Sequence, residues 1–326
     1  MTGANGAQQL VKCHGPRVNP FLSRHSYHLV TPNLAWTPYF FFDPFFSTGS
    51  KAAAALGKIG IAAVEKRKAN PADPSRKDIL HYLFSATDPD TGSSLPDNEI
   101  KAEALTQLIA GSDTTGNTIT HLIDMLMLHP AKLAKLQTEL DSAFPSPLPD
   151  GWVAEWGECK DLPYVNGVIY ETLRLRTTVS LGLPRVVSKG GMKVCGEFFE
   201  EGTVLSTPTY TTHRDPRVWG SNALEFVPER WEGEKKAELE KAFLGFSYGP
   251  RACIGRNVSD SLGWDLGDRR ELILNIQVAF MELKKTVATL FRRFEYRRVF
   301  PDDGSEIREG FHFKVQELPV FIHKRS

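Results

Sequence analysis

FSYGPRACIGRNV, residues 246–258, sets one cysteine in a loop built from glycine, proline and arginine. The chain has cysteines at positions 13, 159, 195 and 253, and only Cys253 is framed in this way. Gly249 and Gly255 permit a tight backbone path around the sulfur, where inward-turned amides can hydrogen-bond a thiolate. Arg251 adds positive charge that favours ionised sulfur and suits a carboxylate of a cofactor. A lone cysteine is more often a small core hydrophobe. In this frame, Cys253 suits a metal centre that needs one strongly donating ligand.

Composition narrows the classes around that loop. The chain has 326 residues, 41% of them hydrophobic, with 39 basic and 39 acidic side chains. That length buries a sizeable core, and the balanced charge gives no general pull towards nucleic acid or an anionic membrane. The cysteines are far apart with no CxxC pair, so neither a zinc cluster nor a dense disulfide framework is expected, and a reducing compartment fits better. No apolar run reaches the roughly 18 residues of a membrane span. The N-terminus lacks the apolar core of a secretory signal. Arg17 and Arg24 precede the first acidic residue, Asp43, which gives a transit-peptide flavour; an irregular or wrongly assigned N-terminus is the preferred reading of residues 1–43.

Periodicity predicts a mainly α chain with a small β part. KAAAALGKIGIAAVEKRK (51–68) reads as a helix stopped before Pro71. A longer helix is expected from Asn98 to His129, with apolar residues at 100, 104, 105, 108 and 109, then 119, 122, 123 and 126. At 1.5 Å per residue it would span roughly 45 Å. Pro130 interrupts it and AKLAKLQTELDSAF continues as another helix. YVNGVIYETLRLR (164–176) and MELKKTVATLFRRFEYRR (281–298) are further helices. Short strands with Gly-Gly and Glu-Gly turns are expected between Leu183 and Tyr210, and the final FHFKVQELPVFIHK reads as strand.

FSYGPRACIG has the spacing Phe-x-x-Gly-x-Arg-x-Cys-x-Gly and so resembles the haem-thiolate loop of the cytochrome P450 family. Other stretches follow in that family's order. Glu171-Thr-Leu-Arg174 is similar to its Glu-x-x-Arg helix, and PERW (228–231) supplies Arg230, the third member of a buried structural triad. AGSDTT (110–115) is similar to its oxygen-activation motif. The polar residues and Gly111 weaken a helix there, so a local opening is expected, and the resemblance implies that Thr114 hydrogen-bonds the iron-bound oxygen while Asp113 helps to relay protons. The resemblance implies Cys253 as the axial ligand of haem iron, with Phe246, Gly249 and Gly255 shaping its loop and Arg251 and Arg185 holding the propionates. His213, in HRDP, is read equally well as an exposed loop histidine.

The resemblance covers residues 44–326 in the order of a C-terminal portion, and several phrases look most like fungal benzoate 4-monooxygenase-type members. It implies the cytochrome P450 fold, N-terminally truncated. The implied activity inserts one oxygen atom from O2 into a small apolar or aromatic substrate, benzoate-like in the nearest case. Electrons would come from NADPH through a reductase partner. Full-length relatives would sit on the cytoplasmic face of the endoplasmic reticulum membrane through an N-terminal anchor missing here. A haem-thiolate isomerase or dehydratase, an inactive haem-binding fragment and a faulty gene model are the alternatives.

One block departs from the pattern. Removing residues 258–277 leaves GRNVAFMELKKTVATLFRRF, which continues the family text without a break. Val258-Ser259 can be encoded by GTGAGT and Gln277 by CAG, sequences common at intron starts and ends. The block is therefore read as a translated intron, with a surface insertion as the alternative.

Overall fold

Two runs of helical periodicity meet at Pro130, which lacks an N–H and whose ring clashes with the preceding turn, so one helix cannot cover both. The computed structural model places helix Asp97–Leu128 before it and helix Pro130–Ala143 after it, with proline in the first turn, where its missing donor costs nothing. The structure describes residues 9–14, 44–71, 78–88, 90–255, 278–301, 305, 307–308 and 312–325.

Among these, the elements run β1 (Gln9–His14), α1 (Pro44–Ala69), α2 (Ile79–Ser85), α3 (Asp97–Leu128), α4 (Pro130–Ala143), α5 (Trp156–Cys159) and α6 (Pro163–Leu175). Then come β2 (Arg185–Val186), β3 (Met192–Val194), β4 (Glu197–Phe199), β5 (Val204–Leu205), α7 (Thr209–Thr212), α8 (Pro216–Trp219) and α9 (Lys236–Ala242). The chain ends with α10 (Val278–Arg293), β6 (Phe294–Arg298), β7 (Ile307–Arg308), β8 (Lys314–Val315) and β9 (Glu317–Lys324). Tight 3-10 turns lie at Pro228–Trp231 and Gly249–Arg251. The chain divides into two compact units, Val18–Thr114 and Met1–Arg17 with Thr115–Ser326, so their boundary falls inside α3.

In the first unit, α1 ends on Lys66, Arg67 and Lys68 while α3 begins with Asp97 and Glu99, each suited to the dipole at its helix end. Lys68 pairs with Asp97, and Lys101 with Glu65 at 2.5 Å. Gly60 lies against Leu105, where a Cβ would stand 3.3 Å from the leucine Cβ.

In the second unit, α10 packs against α4, α5 and α6. Phe280, Leu283, Val287 and Phe291 recur every three or four residues and are buried, which gives this helix one apolar stripe. It meets Leu136 and Leu140 of α4 and Val165, Val168 and Ile169 of α6 within one core. Burying each such side chain stabilises the fold by about 1.5–3 kcal/mol. The Glu139 carboxylate accepts from the amides of Tyr164 and Val165 at 2.8 and 2.9 Å, capping the start of α6.

The expected helix over 281–298 is corrected. It stops at Arg293, and Phe294–Arg298 pairs antiparallel with β9, from Phe294 opposite Lys324 to Arg298 opposite Val320. Helix-compatible residues give way there because pairing with the apolar β9, which also carries β1 on its other edge, outweighs local preference. β1 lies within the segment read as irregular. The short strands pair as expected, β2 with β5 and β3 with β4.

Candidate functional site

Phe246 anchors the cysteine loop. It is buried, with its ring 5.0 Å from that of Phe280 on α10. The backbone then reverses through two left-handed residues, Ser247 at φ 60° and Gly249 at φ 77°. Glycine makes the second of these inexpensive. Ser247 donates its amide to Leu244 O at 2.9 Å, Ala252 to Gly249 O at 2.9 Å, and Cys253 to Phe246 O at 2.8 Å. The last bond closes the loop and presents Cys253 as a free, exposed thiol. Gly255 lies beneath it, where a Cβ would stand 3.6 Å from Sγ. The Ala279 amide of α10 donates to Gly255 O at 3.4 Å. The block 258–277 lies outside the described residues.

The expected triad comes together and is buried. Arg174 Nε and Nη2 donate to Glu171 Oε2 and Oε1 at 2.8 Å each, and Arg230 Nε donates to Oε1 at 3.0 Å. The same carboxylate accepts the Val227 amide at 2.9 Å and the Trp231 indole N–H at 3.0 Å. Arg174 spends its remaining donors on the carbonyls of His213, Ala223 and Glu225, and Arg230 reaches those of Trp219 and Asn222. This satisfies a charge that would otherwise be very costly to bury. Sequence reasoning misses Val227 and Trp231 as partners; the available signal is the tryptophan beside Arg230, whose buried N–H needs an acceptor.

His213 is fully buried, which corrects the reading of it as an exposed loop residue. Its ring lies 5.2 Å from that of Phe243 at an interplanar angle of 6°. Burial pushes its pKa down to about 3. A second buried histidine, His121, donates Nε2–H to Phe313 O at 2.9 Å, beside Asn117, which donates to the same carbonyl at 2.5 Å. Burial holds His121 at about 4.

Arg251 and Arg185 are both exposed. Arg185 donates to Pro184 O at 3.0 Å, and neither guanidinium forms an ion pair among the described residues. Asp113 is buried and Thr114 intermediate in exposure on α3. The local opening expected at AGSDTT is absent, because α3 is continuous through it. The hydroxyls bond back one turn instead, Ser112 to Leu108 O and Thr114 to Ala110 O, both at 2.7 Å. Such back-bonds satisfy a polar side chain without opening the helix.

Among the described residues, no group of three or more His, Cys, Asp or Glu side chains is placed to hold a metal ion. A single presented thiol flanked by two glycines and an exposed arginine instead fits an iron whose remaining ligands come mostly from a macrocycle. The residues present therefore fit a haem: Cys253 for the iron, with Arg251 and Arg185 as cations for its carboxylates.

Comparison with known proteins agrees. The family model for cytochrome P450 matches residues 21–261. Benzoate 4-monooxygenase bphA of Aspergillus niger is 38% identical over 289 residues, 87% of this chain and 51% of that protein. A cytochrome P450 monooxygenase of Aspergillus terreus is 31% identical over 226 residues, 68% of this chain and 41% of that protein. The crystal structure of a cytochrome P450, CYP102L1, aligns with a TM-score of 0.73 at 25% identity, covering 95% of this chain and 65% of that one. The chain spans about half the length of the curated relatives it matches.

Proposed function

The chain belongs to the cytochrome P450 family, and from that premise we propose that it serves a haem-thiolate monooxygenase. The observation that carries this reading is the free Cys253 thiol, held outward by the Cys253–Phe246 backbone bond of 2.8 Å. When bound, haem supplies the activation of dioxygen and the insertion of one oxygen atom, using electrons from NADPH delivered by a reductase.

This chain's residues bind, orient and move protons. Cys253 Sγ would bind the iron, Gly249 and Gly255 would let backbone approach closely, and Phe246 roots the loop in the core. Arg251 and Arg185 would hold the two propionates. Asp113 Oδ passes a proton towards Thr114 Oγ1, which must turn from the Ala110 carbonyl to take part. Glu171, Arg174 and Arg230 fix the backbone leading to the ligand loop.

The name of the Aspergillus niger relative supports a small aromatic acid, benzoate-like, as the substrate class. The partners are an NADPH-dependent reductase and that substrate, with no nucleic acid. The cytoplasmic face of the endoplasmic reticulum membrane is the location this reading favours; among the described residues no helix is long and apolar enough to cross a membrane.

The test is expression of the whole chain with a haem precursor, followed by the reduced carbon monoxide difference spectrum and benzoate turnover with a reductase. A thiolate-type spectrum with hydroxylated product supports the reading. A thiolate-type spectrum without product favours a haem-binding chain that does not turn over. No haem retention overturns both.

A further inference from the structure

We propose that His213 is the positioning residue of the cysteine loop, a neutral imidazole that ties the end of α6 to Leu244 where the chain turns into the loop. Its catalytic consequence rests on the reading of Cys253 as the haem ligand, but its geometry stands separately.

The hydrogen-bond partners define the tautomer. The Leu244 amide donates to Nε2 at 2.8 Å, and an amide N–H can only donate, so Nε2 carries no proton. The proton is on Nδ1, which donates to the Arg174 carbonyl at 3.1 Å. Arg174 returns the contact, its Nη1 donating to the His213 carbonyl at 2.6 Å. The residue is thus clamped to the last turn of α6 from both its ring and its backbone.

On the loop side the ring holds two successive residues. It stacks on Phe243 and accepts from Leu244, while Trp219 meets it edge-on at 5.7 Å. Leu244 O then accepts from Ser247, and Phe246 O accepts from Cys253. One run of bonded groups therefore leads from the Glu171–Arg174 pair through His213 to Leu244, and the loop closes three residues on. The charged groups facing the ring are Arg174 and Arg214, both cationic; Glu171 is committed to Arg174. The Arg174 carbonyl favours a protonated ring, but burial and the two cations outweigh it, and the Nε2–H of an imidazolium would point at the Leu244 N–H. The surroundings fit a neutral strut rather than a proton carrier.

Two substitutions separate positioning from bulk packing. In His213→Gln, the side-chain oxygen reaches the Nε2 position and still accepts from Leu244. In His213→Asn, the amide nitrogen reaches the Nδ1 position and donates to Arg174 O, which leaves the Leu244 N–H without an acceptor. Both lose the ring and one hydrogen bond, so a purely structural role predicts equal effects. We expect amide exchange at Leu244–Phe246 to quicken about tenfold more in the asparagine variant than in the glutamine variant. Cys253 alkylation by iodoacetamide should change only in the asparagine variant. With haem, the glutamine variant should keep the thiolate-type spectrum and the asparagine variant should lose it. Equal behaviour of the two variants overturns the proposal.

Should neither variant accumulate, nitrogen-15 spectra of the histidine-labelled wild-type chain decide. A neutral Nδ1–H tautomer for His213 at pH 7 supports the proposal, and an Nε2–H tautomer or an imidazolium overturns it. A wild-type chain without a thiolate-type spectrum sinks the haem reading, while the exchange contrast still tests His213.

Discussion

Glu171 and Arg174, one turn apart on α6, are both fully buried and meet through two hydrogen bonds of 2.8 Å. On an exposed helix such a pair contributes a few tenths of a kcal/mol. Here Glu171 accepts five hydrogen bonds, so removing either charge strands the other in the core. Arg174→Met should destabilise the fold by about 3–5 kcal/mol, measured by urea denaturation. A loss below about 1 kcal/mol, the range of exposed pairs, would contradict the buried geometry.

What can be read from the chain divides by range of interaction. Cys253 and its loop are legible because the chemistry is packed into ten consecutive residues. The helix over Asp97–Leu128 is legible because its apolar spacing is periodic and Pro130 forces its end. Glu171 and Arg174 alone look like a surface pair; only Arg230, Val227 and Trp231, more than fifty residues on, make that pair an interior one. The strand Phe294–Arg298 is hidden because its arginines and glutamate suit a helix, and its partners in β9, Val320 to Lys324, lie 22 to 30 residues further along. The buried state of His213 depends on Trp219, Phe243 and Leu244, none of which its own short segment identifies. The uninterrupted helix at AGSDTT follows from hydroxyls bonding back one turn, which composition alone does not decide.

Cys253→Ser should separate cofactor chemistry from folding. The side chain is exposed, so the melting profile should move by no more than about 0.5 kcal/mol. The thiolate-type carbon monoxide spectrum should disappear. A serine variant that kept it would remove Cys253 from the iron.

Acid should weaken the fold before the carboxylates titrate. His213 and His121 are held at about 3 and about 4 in the folded chain, chiefly by burial, and return to about 6.5 on unfolding. Below that value the unfolded chain binds the extra protons, so their stabilisation is fully present above pH 6.5 and declines as pH falls towards the folded values. Between pH 7 and pH 5 the two together should remove about 3–4 kcal/mol, read from urea midpoints at each pH. His213→Gln should roughly halve that loss. A pH-independent midpoint over this range would show that neither histidine is neutral and buried.

Gly167 should tolerate no side chain. A Cβ there would stand 2.7 Å from the backbone oxygen of Pro228, where α6 meets the turn that carries Arg230. Backbone cannot rotate away, so Gly167→Ala should cost about 1–3 kcal/mol and loosen the Arg230 contact. Gly57, in α1, provides the contrast, since a Cβ there would meet nothing within 4 Å. Gly57→Ala should stabilise by about 0.5–1 kcal/mol, because alanine is the better helix former. Thermal melts of the two variants shifting in the same direction would contradict this.

The Gly255–Ala279 bond bears on the block at 258–277. Ala279 donates to Gly255 O at 3.4 Å although 24 positions separate them, and without those twenty residues the separation becomes four. Four is the spacing of an α-helical hydrogen bond, so the two ends meet as consecutive turns of one helix would. The family match also stops at residue 261, just inside the block. We therefore propose that 258–277 is translated intron, and that a chain lacking it runs from the ligand loop directly into α10. Deleting the block should leave the helical circular dichroism intact, raise or preserve the melting temperature, and increase haem retention. The transcript in the source organism should lack the corresponding 60 nucleotides, three for each of the twenty residues. Unfolding on deletion, or a native GWDLGDR peptide in a mass spectrum, would make the block a genuine insertion.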